Sequence, residues 1–212
     1  MIRIVLADDH ALFRAGLCRL IEAEEDMQVV GQAGTGREAV ALCDTLAPDV
    51  AVLDFAMPDM DGLEATKQIV AANKRARVLI ITMYDNEEYA IRFLQAGASG
   101  FIVKETSPEE LPAALRKIAS GKVYITPSIM ERIALRHHQF QKENPVSLLS
   151  DRELQVLIKL ARGRTTSEIS EDLALSVSTV KTYKTRIFEK LGLRNVSDLT
   201  RFAIRYNLID RL

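Results

Sequence analysis

Three aspartates, a threonine and a lysine stand at the ends of short apolar runs. Asp8 and Asp9 follow Ile2–Ala7, Asp54 closes the run from Val50, Thr82 closes the run from Val78, and Lys104 follows Phe101–Val103. If these runs are strands of one parallel sheet, their carboxyl ends share a rim, and the five side chains converge on it. Carboxylates crowded in this way repel one another and partly reprotonate unless a cation sits among them. A hard divalent ion that prefers oxygen ligands, Mg2+, is the natural occupant. With the metal and Lys104 neutralising phosphoryl oxygens, Asp54 is placed to attack a phosphoryl group, and Thr82 to follow the newcomer by hydrogen bonding. Each residue alone has a plainer reading, since paired aspartates are commonly solvated, strand-end aspartates often cap helices and single lysines are usually exposed. The agreement of four strand ends favours the chemical reading.

The elements that must position these residues are legible from periodicity. Val29–Ala33 completes a set of five β-branched runs, separated by helix-periodic stretches such as Phe13, Leu17, Leu20 and Ile21. Runs that are apolar throughout need cover on both faces, so the front half is expected to be an α/β domain with a doubly wound, five-stranded parallel sheet. The pattern changes after Gly121. Thr126-Pro127 is expected to begin a helix through Ile129 and Ile133, and the polar stretch from His137 to Ser147 reads as a linker. From Ser150 only helices are expected. Ser150-Asp151-Arg152-Glu153 and Thr165-Thr166-Ser167-Glu168 are capping boxes, and Ser176 caps a third helix from Val177 to Leu191. This divides the chain into residues 1–120, a connecting segment 121–148, and an all-α domain 149–212.

That third helix has two faces. Val180, Tyr183, Ile187 and Leu191 form an apolar stripe, whereas Ser178, Lys181, Thr182 and Thr185 lie opposite, with Lys184, Arg186 and Lys190 nearby. Short hydroxyls and cations on one helix face suit a DNA major groove and its flanking phosphates. Charge follows the same division: residues 1–120 carry 12 bases and 19 acids, net −7, whereas residues 149–212 carry 12 bases and 8 acids, net +4. An acidic front suits a cation site and a basic rear a polyanion. Cys18 and Cys43 share no metal-ligand spacing and read as reduced packing residues. No apolar run approaches a membrane span and the first residues lack signal-peptide features, so a soluble cytoplasmic protein without membrane contact is expected.

Residues 1–120 resemble a response-regulator receiver domain. The likeness runs through Asp8-Asp9-His10, the segment from Val52 to Gly62 that includes Asp54-Phe55-Ala56-Met57-Pro58, Thr82, and Gly97 to Lys104. The resemblance implies the flavodoxin-like strand order 2-1-3-4-5 and phosphorylation of Asp54 by a sensor histidine kinase. It further implies Mg2+ held by Asp9, Asp54 and the Ala56 carbonyl with Asp8 assisting through water, and a switch pair of Thr82 and Phe101. Residues 149–209 resemble the LuxR-type helix-turn-helix output domain of the NarL/FixJ subfamily, through Leu149-Ser150-Asp151-Arg152-Glu153, Leu157, Gly163, Glu168-Ile169, Thr179-Val180-Lys181 and Lys190-Leu191-Gly192-Leu193. It implies that Val177–Leu191 is the recognition helix, that a last helix around Ser197 to Tyr206 forms a homodimer contact, and that the partner is double-stranded promoter DNA.

The sequence departs from the family pattern at three places. Met83 is bulky where a small residue often follows the switch threonine, Tyr183 stands where histidine is frequent, and Thr166-Ser167 replace a common Asn-Lys pair. Two rival functions compete with phosphorylation-controlled DNA binding. A Mg2+-dependent phosphotransfer enzyme would use a similar rim but needs a substrate pocket and a partner acid, for which no motif is present. A phosphorylation-independent regulator would use the front half only for dimerisation, leaving the acidic set without a task.

Overall fold

The computed structural model describes residues 1–105, 109–139, 145–206 and 208–209. Residues 140–144 of the expected linker and the last three residues of the expected rear domain lie outside this set. The chain divides into two compact units, Met1–Leu135 and Arg136–Leu212.

In the first unit, strands and helices alternate: β1 (Ile2–Ala7), α1 (Ala11–Glu22), β2 (Met27–Ala33), α2 (Gly36–Leu46), β3 (Val50–Asp54), α3 (Gly62–Ala72), β4 (Arg77–Thr82), α4 (Glu87–Gln95), β5 (Gly100–Val103) and α5 (Glu110–Ala119). A two-residue strand, β6 (Tyr124–Ile125), and the helix α6 (Pro127–Gln139) follow. All pairings are parallel, in the order β2-β1-β3-β4-β5-β6. The doubly wound order expected from the sequence is therefore present, extended by one strand at the β5 edge.

The central strands are buried on both faces, as their unbroken apolar character requires. Ile4, Leu6, Val50, Val52, Leu79, Ile81 and Ile102 pack with Ile21 of α1 and Leu111, Leu115 and Ile118 of α5. Val5, Leu53, Ile80 and Phe101, one residue out of phase with that set, are equally buried. Helix starts are fixed by side-chain caps: the hydroxyl of Thr35 accepts from the Glu38 N–H and the carboxylate of Asp61 from the Glu64 N–H. Both cysteines are free thiols, and burial pushes that of Cys43 up to about 12, in keeping with a packing role.

The second unit contains α7 (Asp151–Ala161), α8 (Thr166–Asp172), α9 (Val177–Leu191) and α10 (Val196–Arg205), preceded by a 3-10 turn over Pro145–Leu148. Both predicted capping boxes form, Ser150 with Glu153 and Thr165 with Glu168. Ser176 caps α9 by accepting from the Thr179 N–H, and Gly192, at φ 63°, ends it in the left-handed region that glycine occupies without strain. Leu154, Leu157, Ile169, Val180, Ile187, Leu199 and Ala203 make the core. Among the described residues, no helix is long and apolar enough to cross a membrane.

Candidate phosphoacceptor site and nucleic-acid interface

The parallel register delivers the predicted residues to one edge. Asp54 ends β3 beside Ile81, and Thr82 ends β4 opposite Val103, so that Lys104 comes next along that edge. Its backbone N–H donates to the Thr82 carbonyl at 2.7 Å. Asp8 follows the last residue of β1, and its N–H donates to the carbonyl of Ala33.

Lys104 connects the carboxylates. Its ammonium is 2.6 Å from Asp8 Oδ2 and 2.9 Å from Asp54 Oδ1, and its side chain is only 5% exposed. The second oxygen of Asp54 accepts from the Ala56 N–H at 3.0 Å, and the second oxygen of Asp8 accepts from the His10 N–H at 2.8 Å. Burial, reinforced by the charge of Asp8, pushes the Asp54 carboxyl above its ordinary value, against the opposing pull of Lys104 and the Ala56 N–H. Burial pulls the lysine down, but the two carboxylates outweigh it and hold its ammonium above the usual lysine range. The pair sits in a water-poor pocket, where its interaction is stronger than at a surface.

The carboxylate of Asp9 is more open and lies 2.8 Å from His10 Nδ1. Among the described residues, the group whose ligand atoms lie within 4.8 Å of one another is Asp8, Asp9 and His10. Asp54 is not a member of that group and reaches Asp8 through Lys104. Three neighbours were not singled out from the sequence as site residues: His10, Arg14, whose guanidinium donates to the Asp8 carbonyl, and Phe13, whose ring lies 4.4 Å from the Lys104 ammonium. His10 adjoins the aspartate pair and Arg14 lies one turn further along the chain, so spacing could have found both. Phe13 was visible only as a helix-face apolar residue.

Thr82 is buried, and its hydroxyl oxygen accepts from the Tyr84 N–H at 3.2 Å, leaving its own proton for an acceptor. Phe101 is fully buried, with its ring 6.1 Å from that of Phe93. Phe55 stands between Tyr84, Tyr89 and Phe93, at centroid distances of 5.4, 4.7 and 5.3 Å. Aromatic packing therefore runs from the Asp54 turn to Phe101. Met83 is exposed beside this rim.

In the second unit, Ser178, Lys181, Thr182, Thr185 and Arg186 are exposed on α9 and Lys184 is half-buried. Thr182 and Thr185 donate to the carbonyls of Ser178 and Lys181, which leaves their oxygen lone pairs facing outward as acceptors. Lys184 lies 5.8 Å from the Phe188 ring. Lys190 is differently engaged, with its ammonium 2.6 Å from Glu153 Oε2 and 3.1 Å from the Leu148 carbonyl.

A buried Asp–Lys–Asp pocket on the carboxyl edge of a doubly wound sheet, joined to a capped helix-turn-helix, defines the class of a phosphoacceptor domain with a DNA-binding partner domain. Comparison with known proteins agrees: residues 4–116 match the response regulator receiver domain, and residues 147–203 match the bacterial regulatory proteins of the luxR family. The chain is 39% identical to the response regulator UvrY of Escherichia coli (strain K12), over 99% of this chain and 97% of the relative. It is 37% identical to the response regulator GacA of Pseudomonas aeruginosa PAO1, over 99% of each. Among solved structures, the complex of the two-component response regulator RcsB with DNA aligns at a TM-score of 0.61 and 25% identity, covering 95% of this chain and 96% of that one. The chain belongs to the NarL/FixJ family of two-component response regulators, DNA-binding transcription factors with a receiver domain and a LuxR-type output domain.

Proposed function

We propose that Asp54 accepts a phosphoryl group from a sensor histidine kinase and that the acyl phosphate so formed controls sequence-specific DNA binding by α9. The observation that carries this reading is the placement of the Lys104 ammonium against both Asp54 and Asp8 in a buried pocket. One oxygen of Asp54 forms the new P–O bond while the P–N bond to the donor histidine breaks and its imidazole regains a proton. Lys104 then neutralises a phosphoryl oxygen. The Thr82 hydroxyl moves to donate to the phosphoryl group, and the Phe101 ring answers by repacking against the Phe93–Phe55 cluster.

The receiver family typically holds a metal at its acidic pocket, and the donors here fit one, since Asp8 and Asp9 present hard oxygens within 4.8 Å of each other. Asp9, Asp54 and the Ala56 carbonyl would hold Mg2+, with Asp8 acting through water. When bound, the ion supplies charge stabilisation at the phosphoryl oxygens. Residues 1–120 serve as the receiver, 121–148 as the connection and 149–212 as the DNA-binding domain. Chemical turnover is confined to gain and loss of the chain's own phosphate. Ser178, Lys181, Thr182, Lys184, Thr185 and Arg186 face DNA, with Lys190 at the end of that face. A cytoplasmic homodimer reads two promoter half-sites.

Asp54→Asn is expected to abolish phosphate incorporation from acetyl phosphate and the gain in promoter affinity that beryllofluoride gives the unaltered chain. Incorporation at the wild-type rate in the variant refutes the assignment. Promoter affinity indifferent to beryllofluoride in the unaltered chain refutes the phosphorylation control.

A further inference from the structure

Lys104 is a four-carbon arm ending in a compact charge, and such arms turn freely unless held. Its ammonium has three N–H bonds, and the carboxylates of Asp8 and Asp54, at 2.6 and 2.9 Å, account for two directions. On another side lies the ring of Phe13, with its centroid 4.4 Å from Nζ. Phe13 comes from the first turns of α1 and packs half-buried against the sheet core. Beside the pair, a groove of about 440 Å3 between α1 and α5 is lined by Leu12, Leu17 and Leu111 and by Phe13 and Lys104 themselves. That groove is room into which the arm could swing away from the carboxylates.

We propose that Phe13 is a positioning residue for Lys104, its ring face holding the ammonium in the pocket before and during phosphoryl transfer. This inference rests on the reading of Asp54 as the phosphoacceptor. A cation within about 6 Å of a ring centroid is drawn to its negative face, and more strongly where water is excluded. The partner has to be neutral, because a third carboxylate would compete with Asp54 and with the incoming phosphoryl oxygens for the same charge. An aliphatic residue of similar bulk would fill the volume without attracting the ammonium. The attraction also has little directional demand, so the ammonium can shift toward a phosphoryl oxygen without leaving the ring.

The test replaces Phe13 in the full chain by 4-fluoro-, 3,5-difluoro- and 3,4,5-trifluorophenylalanine, which withdraw electron density from the ring face at nearly constant shape. The rate of Asp54 phosphorylation by acetyl phosphate is expected to fall with each fluorine, by about 2- to 30-fold across the series. In the unphosphorylated protein, the Cε protons of Lys104 should be ring-current shifted upfield in the wild type and in Phe13→Tyr but not in Phe13→Leu. A flat rate series in a chain that phosphorylates normally, or Cε protons at one position in all three proteins, overturns the role of Phe13. A packing role alone would lower the melting midpoint of Phe13→Leu and leave the fluorine series flat. A wild-type chain that takes up no phosphate overturns the Asp54 reading, and the positioning role with it.

Discussion

Replacing Lys190 with methionine keeps most of the side-chain stem and deletes the ammonium, which separates two tasks the residue could have. Glu153 is 3% exposed at its side chain and Lys190 is 39% exposed, so the pair joins a buried carboxylate to a cation that reaches water. Removing one partner of a fully buried pair costs about 3–5 kcal/mol, and exposed pairs contribute at most about 1 kcal/mol. The surviving bond from the Ser150 N–H to Glu153, at 2.7 Å, keeps the carboxylate from being orphaned. A loss of about 1–3 kcal/mol follows from these limits. Burial pushes the Glu153 carboxyl up, but the Lys190 ammonium and the bonds from Ser150 outweigh it and hold it below the usual glutamate range. A carboxyl lowered in the folded state contributes stability above its unfolded pKa and loses it as pH falls through the folded value. The advantage of the wild type over Lys190→Met should therefore be complete at neutral pH and fade below about pH 4. Urea denaturation of the full chain followed by circular dichroism, with promoter binding measured by fluorescence anisotropy, reads both tasks. Full stability combined with weakened DNA binding would show that Lys190 meets phosphate and would refute the stabilising role.

Two further substitutions address the remaining parts of the machinery. At Gly62 a Cβ would stand 2.3 Å from the Asp54 carbonyl oxygen and 3.1 Å from Phe55 Cα, so Gly62→Ala must open the turn after β3. It should cost about 1–3 kcal/mol in a thermal melt and slow phosphorylation of Asp54; an unchanged melt and rate would show that the turn is soft. Lys181→Ala should weaken specific promoter binding by about 1–3 kcal/mol in anisotropy titrations, and unchanged affinity would remove Lys181 from the base-reading residues.

The rim residues were legible because a parallel sheet leaves little choice: once Ile2–Ala7, the runs ending at Asp54 and Thr82, and Phe101–Val103 read as strands, their carboxyl ends must coincide. The capping boxes were legible for a similar reason, since Ser150 and Thr165 each meet a glutamate three residues on and the geometry is local. β6 was not, because two residues have no period; Tyr124 and Ile125 become a strand only through pairing with Gly100 and Phe101. The environment of Lys104 was half legible. Its carboxylate partners follow from strand order, but the place of Phe13 depends on the roll of α1, which periodicity fixes only as facing the sheet. Lys190 shows the same limit from the other side, because its distance to Glu153 is set by how α7 and α9 pack.

The edge strand has a mechanical consequence. The Thr126 N–H donates to the Phe101 carbonyl at 3.2 Å, so the backbone of Phe101 also carries the first turn of α6. Further along α6, the Arg132 guanidinium bonds to Asp85 and lies 3.4 Å from Glu87, both just beyond Thr82 in the chain. Two contacts thus tie α6 to the start of β5 and to the segment that follows β4, so any movement of either segment pulls on the same helix.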